Sequence, residues 1–189
     1  MGEDLVLFRD LGGRIGLLAA HCSHEHGVVL GAQAYFRHVN ANGGVHGRRI
    51  EYRYLDDGYD PSRTIQATRR LVQQDRVFAM FNMVGTEQNL AVRAFLNAAK
   101  VPQLFGGTGL RKIGREHARY RWTMGYLPSF FAEGRLYARH LVGSRRGAKV
   151  AVLYEASDYG RDLLAGFRAG IGRGATIAGT QTYEVTDTD

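Results

Sequence analysis

The chain has 189 residues, of which 44% are hydrophobic and 23% are charged, and its formal net charge is +7. This is an ordinary composition for a globular protein that buries a substantial core. A single cysteine, Cys22, excludes an internal disulfide, and the first thirteen residues contain no apolar run long enough for a signal peptide or a membrane span.

The excess positive charge is carried mainly by arginines that are spread along the chain instead of forming a tail. A basic balance is typical of proteins that bind nucleic acid or anionic small ligands, but also of solvated helix faces and loop rims. No helix-turn-helix, zinc-finger or aromatic-basic RNA motif accompanies the arginines. We therefore expect no nucleic-acid partner.

Strand and helix signals alternate along the chain. Apolar spacing and turn residues predict strands at residues 14–20, 51–55, 77–81, 101–105, 121–124, 149–154 and 176–184. They predict helices at 28–39, from Asp60-Pro61 onward, at 86–99, 129–142 and 159–171, and a glycine-rich loop at 106–119. This order, with its short connections, predicts an α/β fold with a mostly parallel sheet and helices on both faces.

Local patterns refine some of these elements. Residues 51–55 alternate polar and apolar side chains, which predicts a half-exposed strand at a sheet edge. Residues 77–81 are apolar without alternation, which predicts a central parallel strand covered on both faces. Asp60 and Pro61 predict a helix start, with Asp60 as the N-cap. For the helix at 86–99, the predicted inward residues are Leu90, Ala91, Ala94, Phe95 and Ala98.

Two turns that follow strands have features of an anion site, and ligands of parallel sheets bind beyond the carboxyl ends of the strands. Gly85-Thr86 begins a helix, where Thr86 is expected to cap the helix and to present its hydroxyl and nearby N–H groups. Gly106-Gly107-Thr108 is expected to offer unshielded backbone N–H groups and one hydroxyl. The alternative is that both are ordinary tight turns with a capping threonine.

The loop at residues 21–27 contains three histidines, one cysteine and one glutamate. These residue types bind zinc, so a metal-binding loop that uses His21, His24 and His26 is one hypothesis. The other is a polar loop that lines a cleft, because a compact loop seldom wraps three of its own side chains around one ion and the sequence has no second cluster. We favour the second, with no bound metal, and count His26 among the candidate ligand contacts.

The sequence offers no credible catalytic set. Asp56-Asp57 follows the second predicted strand, whereas the acidic pair of receiver domains follows the first. No G-x-G-x-x-G follows the first strand, and neither a P-loop nor a G-x-S-x-G elbow occurs. We therefore predict a binding protein and not an enzyme, with no cofactor.

Several motifs occur in order along nearly the whole chain after Arg14. The most informative are residues 40–50, Asn-Ala-Asn-Gly-Gly-Val-His-Gly-Arg-Arg-Ile, and residues 56–61, Asp-Asp-Gly-Tyr-Asp-Pro. Others lie at 71–75, 85–91, 100–109, 122–129, 133–135, 148–154 and 158–162. Taken together, they resemble the N-terminal half of the leucine/isoleucine/valine-binding family of type I periplasmic solute-binding proteins, which serve ABC importers.

The resemblance implies two α/β lobes joined by a hinge of three crossings, with the ligand bound between them. It implies a leader or cloning-derived segment at 1–13, an N-terminal ligand-binding lobe at 14–123 and an incomplete second lobe at 124–189. Thr86 would bind the ligand carboxylate, and Tyr159 of the second lobe would cover the ligand. The other implied contacts are Gly85, Gly107, Thr108 and Tyr126. Two departures are the polar loop at 20–27, where the family has small residues, and a chain much shorter than family members.

The function that this resemblance implies is that of a periplasmic or otherwise extracytoplasmic solute-binding protein of an amino-acid-type ABC importer. Its partners would be the importer's membrane subunits and a small carboxylate ligand, either a branched-chain amino acid or an aromatic or other organic acid. One alternative is a ligand-sensing regulatory or receptor domain of the same fold. The other is a metal-binding protein that uses the loop from His21 to His26.

Overall fold

The computed structural model describes residues 15–16 and 26–187. Within these ranges the strands are β1 (Ile15–Gly16), β2 (Tyr52–Arg53), β3 (Met80–Phe81), β4 (Gln103–Gly106), β5 (Thr123–Gly125), β6 (Lys149–Glu155) and β7 (Thr176–Tyr183). The helices are α1 (His26–Ala41), α2 (Pro61–Arg69), α3 (Thr86–Ala98), α4 (Arg111–Arg115), α5 (Phe130–Ser144) and α6 (Asp158–Ile171). A π-helical turn, Arg70–Gln74, extends α2.

The described chain divides into two compact units. The first unit contains residues 15–16 and 26–108 together with Glu116–Tyr126, and the second contains Gly109–Arg115 together with residues 127–187. The sequence-based boundary between residues 123 and 124, and the assignment of residues 1–13 to a leader, stay predictions.

The first unit is built on a parallel sheet with the strand order β2-β1-β3-β4-β5. Strand β2 lies at an edge and β3 lies between β1 and β4, so both sequence-based placements are confirmed. Ala79 and Met80 are each 0% exposed and belong to different apolar clusters. Ala79 packs with Val29 of α1, whereas Met80 packs with residues of α2 and α3. The sheet is therefore covered on both faces, as the apolar run at 77–81 predicts.

The start of α2 follows the predicted capping chemistry. The carboxylate of Asp60 accepts hydrogen bonds from the backbone N–H groups of Ser62 and Arg63 at 2.7 and 3.3 Å. Pro61 is the first helical residue. A backbone N–H at this position has no partner within the helix, so proline, which lacks one, fits there. This local arrangement positions the preceding loop, residues 56–60.

The second unit contains the parallel pair β6-β7, in which Lys149 is opposite Thr176. Helices α5 and α6 pack closely, because a Cβ at Gly134 would overlap the Leu163 carbonyl and a Cβ at Gly166 would overlap the Phe131 carbonyl. Ala138 and Ile171 belong to the buried core of this unit. The short helix α4 lies in the stretch that was expected to be a loop. Ile113 of α4 is buried. A single apolar residue among glycines and arginines was too weak a pattern to predict this helix.

None of the described helices is both long enough and apolar enough to cross a membrane.

Candidate functional site

The candidate site lies in the first unit, where β3 and β4 end and α3 begins. The backbone is unusual here, because Asn82 and Phe105 adopt left-handed φ angles of 52° and 53°. Such angles are uncommon for residues other than glycine and are concentrated at functional sites. Gly85, with a φ of 100°, is the N-cap of α3, and Thr86 is the first helical residue.

A pair of buried hydroxyl groups forms the centre of the site. The Oγ1 atoms of Thr86 and Thr108 lie 2.7 Å apart, and the two residues are 7% and 3% exposed. A hydroxyl both donates and accepts, so the pair can rearrange to donate to a carboxylate oxygen. Its position at the N-terminus of α3 adds the partial positive charge of the helix dipole. The arrangement therefore suits a small anion.

The hydrogen bonds of the two turns differ from those that the sequence suggested. Thr86 does not cap α3, because the N-cap position is taken by Gly85 and no side chain caps this helix. The N–H of Gly107 donates to the Met83 carbonyl at 2.6 Å, and the N–H of Thr108 donates to the Gly106 carbonyl at 2.8 Å. Parallel pairing continues beyond β3 and β4 through a bridge between Val84 and Gly107. The expectation of unshielded N–H groups at Gly107 and Thr108 is therefore wrong, because sheet pairing and a tight turn use them.

Asn89 supports these turns from within α3, and the sequence analysis did not identify it. Its Nδ2 donates to the carbonyls of Met83 and Gly85, each at 2.7 Å. Its Oδ1 accepts a hydrogen bond of 2.9 Å from Nε2 of Gln103 in β4. Both side chains are buried at 1% exposure. The spacing in the sequence could have identified Asn89. It precedes Val92 by three residues and Leu96 by seven, which places it on the same buried face of the helix.

The remaining predicted contacts are Tyr126, Tyr159 and His26, each in its own part of the chain. Tyr126 belongs to the first unit, is exposed, and places its ring edge-on to Phe105 at 6.0 Å. Tyr159 belongs to the second unit, where its ring lies edge-on to Phe130 at 4.6 Å. His26 is the first residue of α1, and its side chain is outside the described part. The structure thus brings together Gly85, Thr86, Gly107 and Thr108, and all of these ligand contacts stay predictions.

Burial raises the pKa of the Tyr159 hydroxyl above its usual range, with the negative charge of Glu133 as the second cause. Tyr159 is therefore a neutral hydrogen-bond donor and acceptor at physiological pH.

Residues 21–25 of the proposed metal-binding loop lie outside the described residues. In the part of the chain that the structure describes, no group of three or more His, Cys, Asp or Glu side chains is arranged to hold a metal ion. The metal hypothesis for His21, His24 and His26 therefore stays untested.

Comparisons with known proteins agree with this architecture. A model of the periplasmic binding protein family matches residues 19–189. An amino acid binding protein from Pseudomonas aeruginosa is 24% identical over 148 residues, which are 74% of this chain and 37% of that protein. Thus the chain spans well under two thirds of this relative.

Solved structures show the same fold. A solute-binding protein of an ABC transporter from R. palustris, in complex with benzoate, matches with a TM-score of 0.79 and 16% identity, over 92% of this chain and 48% of that one. A branched-chain amino acid transporter substrate-binding protein from Streptococcus pneumoniae, in complex with isoleucine, matches with a TM-score of 0.77 and 21% identity, over 93% and 50%. At these identities the likeness establishes the fold, the type I periplasmic-binding-protein fold with parallel sheets flanked by helices. Because the family model matches most of its length, the chain belongs to the periplasmic binding protein family.

Proposed function

We propose that this chain acts as the N-terminal part of an extracytoplasmic solute-binding protein that serves an amino-acid-type ABC importer. Its ligand is a small carboxylate, either a branched-chain amino acid or an aromatic or other organic acid. The importer's membrane subunits are its partners, and it performs no catalysis.

The observation that carries this proposal is the buried pair of Thr86 and Thr108 hydroxyls at the start of α3. An anion at this pair is removed from water, and a hydrogen bond to a charged group contributes more than one between neutral groups. Two structural neighbours were crystallised with benzoate and with isoleucine, and both ligands carry a carboxylate. These relatives support the ligand class but not the choice within it. Tyr126, Tyr159 and His26 remain predicted contacts.

The test is a calorimetric titration of the chain with benzoate and with L-isoleucine. Benzamide and L-isoleucinamide serve as matched ligands that lack the carboxylate. We expect at least one acid to bind and its amide to bind far more weakly. Thr86→Val should weaken the binding of the acid by about tenfold or more, the scale of one hydrogen bond to a charged group.

Thr68→Val is the control variant, because Thr68 is another buried threonine of the first unit but lies in α2. It should leave the affinity unchanged. Equal affinities for acid and amide, or a Thr86→Val variant that binds like the parent chain, would contradict the proposal.

A further inference from the structure

The loop before α2 is held by a buried carboxylate. Asp57 is 4% exposed, its Oδ1 accepts a hydrogen bond of 2.9 Å from the N–H of Tyr59, and its Oδ2 accepts one of 2.5 Å from the Thr64 hydroxyl. The N–H of Asp60 donates to the Asp57 carbonyl at 3.1 Å, which closes a β-turn over residues 57–60. A buried, fully engaged aspartate therefore fixes the shape of this turn.

The turn forces a tyrosine into a conformation that glycine prefers. Its central residues, Gly58 and Tyr59, have φ angles of 59° and 60°, the pattern of a turn in which both central positions favour glycine or asparagine. A bulky residue at positive φ is a true outlier and persists only where its surroundings determine it. Here the side chain of Gln88, in the first turn of α3, donates to the Tyr59 carbonyl at 2.7 Å.

These contacts place the Tyr59 ring against the candidate site. A Cβ built on Gly85 would lie 3.0 Å from Cε2 of Tyr59, so the ring lies over the α-carbon that precedes Thr86. Tyr59 remains 39% exposed. A strained backbone thus holds an aromatic side chain, partly open to solvent, one residue away from the buried hydroxyl pair.

We propose that Tyr59 is a specificity-determining residue of this site, against which the apolar body of a bound carboxylate packs. The inference rests on the proposed function, because the Thr86–Thr108 pair must first bind the carboxylate. The ring then favours acids with an aromatic or branched apolar group over acids that lack one. Asp57 and Gln88 act on specificity indirectly, by positioning the ring.

The test compares benzoate with acetate as probes, by chemical-shift titration of the isotope-labelled chain. Tyr59→Gly removes the ring and also the backbone strain, since glycine adopts positive φ freely, so the variant should unfold at the same or a higher temperature. Its affinity for benzoate should fall about fivefold, the scale of one aromatic packing contact, while its affinity for acetate should change less than about twofold. Tyr59→Phe keeps the ring and should keep the preference.

Matched variants separate the possible outcomes. Tyr35→Ala, which removes an exposed tyrosine of α1, should leave both affinities unchanged. If Thr86→Val weakens benzoate binding by about tenfold or more but Tyr59→Gly leaves the benzoate-to-acetate affinity ratio unchanged, the inference about Tyr59 is overturned and the proposed function stands. If benzoate, acetate and L-isoleucine all fail to bind, or if Thr86→Val has no effect on the affinity for an acid that binds, the proposed function is overturned and the inference falls with it.

Discussion

Asn89 of α3 and Gln103 of β4 are joined by a buried hydrogen bond of 2.9 Å between the Asn89 Oδ1 and the Gln103 Nε2. The same Gln103 nitrogen lies 3.1 Å from the Asn89 carbonyl, and the Gln103 Oε1 accepts from the Thr123 hydroxyl at 3.1 Å. Asn89 in turn holds the carbonyls of Met83 and Gly85. A continuous polar network therefore connects the turn of the candidate site with β5 beneath the surface of the first unit.

We expect Asn89→Leu to destabilise the chain strongly. The variant keeps a similar volume but removes three buried hydrogen bonds, those to the Met83 and Gly85 carbonyls and the one from the Gln103 amide, at a cost of roughly 2–5 kcal/mol. Urea unfolding followed by circular dichroism measures this loss. Asn42→Leu is the control, since Asn42 is exposed just after α1, and it should change the unfolding free energy by less than about 0.5 kcal/mol. A loss of similar size in both variants would show that the network contributes little.

The hydroxyl pair allows a double-mutant cycle. Thr86→Val and Thr108→Val each remove the buried hydrogen bond between the two hydroxyls, so each should cost about 1–3 kcal/mol. The double variant removes both hydroxyls and should cost less than the sum of the two, with a coupling energy of about 1 kcal/mol. Urea unfolding of the four proteins gives the coupling directly. Additive losses would mean that the two hydroxyls do not stabilise each other.

Removing the Thr68 hydroxyl should have the opposite effect on stability from removing the Thr86 hydroxyl. Its hydroxyl is fully buried and, within the described part of the chain, has no hydrogen-bond partner. Thr68→Val removes this unsatisfied group at nearly constant volume, so the unfolding free energy should stay the same or rise by up to about 1 kcal/mol. Thermal unfolding in parallel with Thr86→Val tests this, because a clear loss in Thr68→Val would reveal a partner for its hydroxyl.

The sequence identified those features of the fold that depend on local chemistry. Asp60 and Pro61 specify a helix start through contacts within one turn, and the structure shows those contacts. The edge and central strands follow from side-chain alternation and its absence, since burial on one or two faces imposes the pattern. The positions of the two site turns followed from the rule for parallel sheets, and the structure brings them together.

The buried face of α3 shows why the rest could not be predicted. The expected inward residues Ala91, Ala94 and Ala98 are exposed, whereas Asn89 and Arg93 are buried. Hydrophobic periodicity cannot identify the buried face of a helix when that face carries polar side chains whose hydrogen-bond partners are distant in the sequence. Arg93, whose pKa is lowered by burial, bonds to Glu116 at 2.8 Å, a residue that is 23 positions away. The hydrogen bond from the Gly107 N–H escaped prediction for the same reason, because it depends on pairing between strands.

Tyr159 should give the unfolding free energy a measurable dependence on alkaline pH. Burial raises its pKa in the folded chain above the unfolded value of about 10. Its contribution is therefore fully present below pH 10 and is lost as the pH rises through the folded pKa. We expect Tyr159→Phe to flatten the fall in stability above pH 10, as measured by urea unfolding at a series of pH values.

Glu133→Gln is the companion variant, because the negative charge of Glu133 also raises the pKa of Tyr159. Titration of the tyrosinate absorbance near 295 nm should shift toward lower pH in this variant. Tyr137 should contribute to that shift, since its hydroxyl donates to Glu133 and this hydrogen bond raises its pKa. A titration curve that does not move would exclude Glu133 as a cause.

In the second unit, the segment that contains α4 is attached to α6 by an ion pair. The Nε of Arg111 lies 2.5 Å from Oδ1 of Asp162, and the backbone N–H of Arg111 donates to Oδ2 at 3.2 Å. The Asp162 side chain is 6% exposed, and the Arg111 guanidinium lies 4.0 Å above the Phe131 ring. A nearby pair, Lys112 and Asp158, is more exposed and longer, at 3.8 Å.

Stability should respond very differently to loss of the acidic partner in these two places, Asp162 and Asp158. Asp162→Ala leaves a partly buried guanidinium and a backbone N–H without their acceptor, so the unfolding free energy should fall by roughly 3 kcal/mol. Asp158→Asn removes two exposed, solvent-screened ion pairs, with Lys112 and with Arg161, and should cost no more than about 1 kcal/mol. Urea unfolding at low and high salt separates them, because added salt should erase the small Asp158 effect and leave most of the Asp162 effect. Equal losses, or an Asp162 effect that salt abolishes, would mean that the ion pair does not hold α4 against α6.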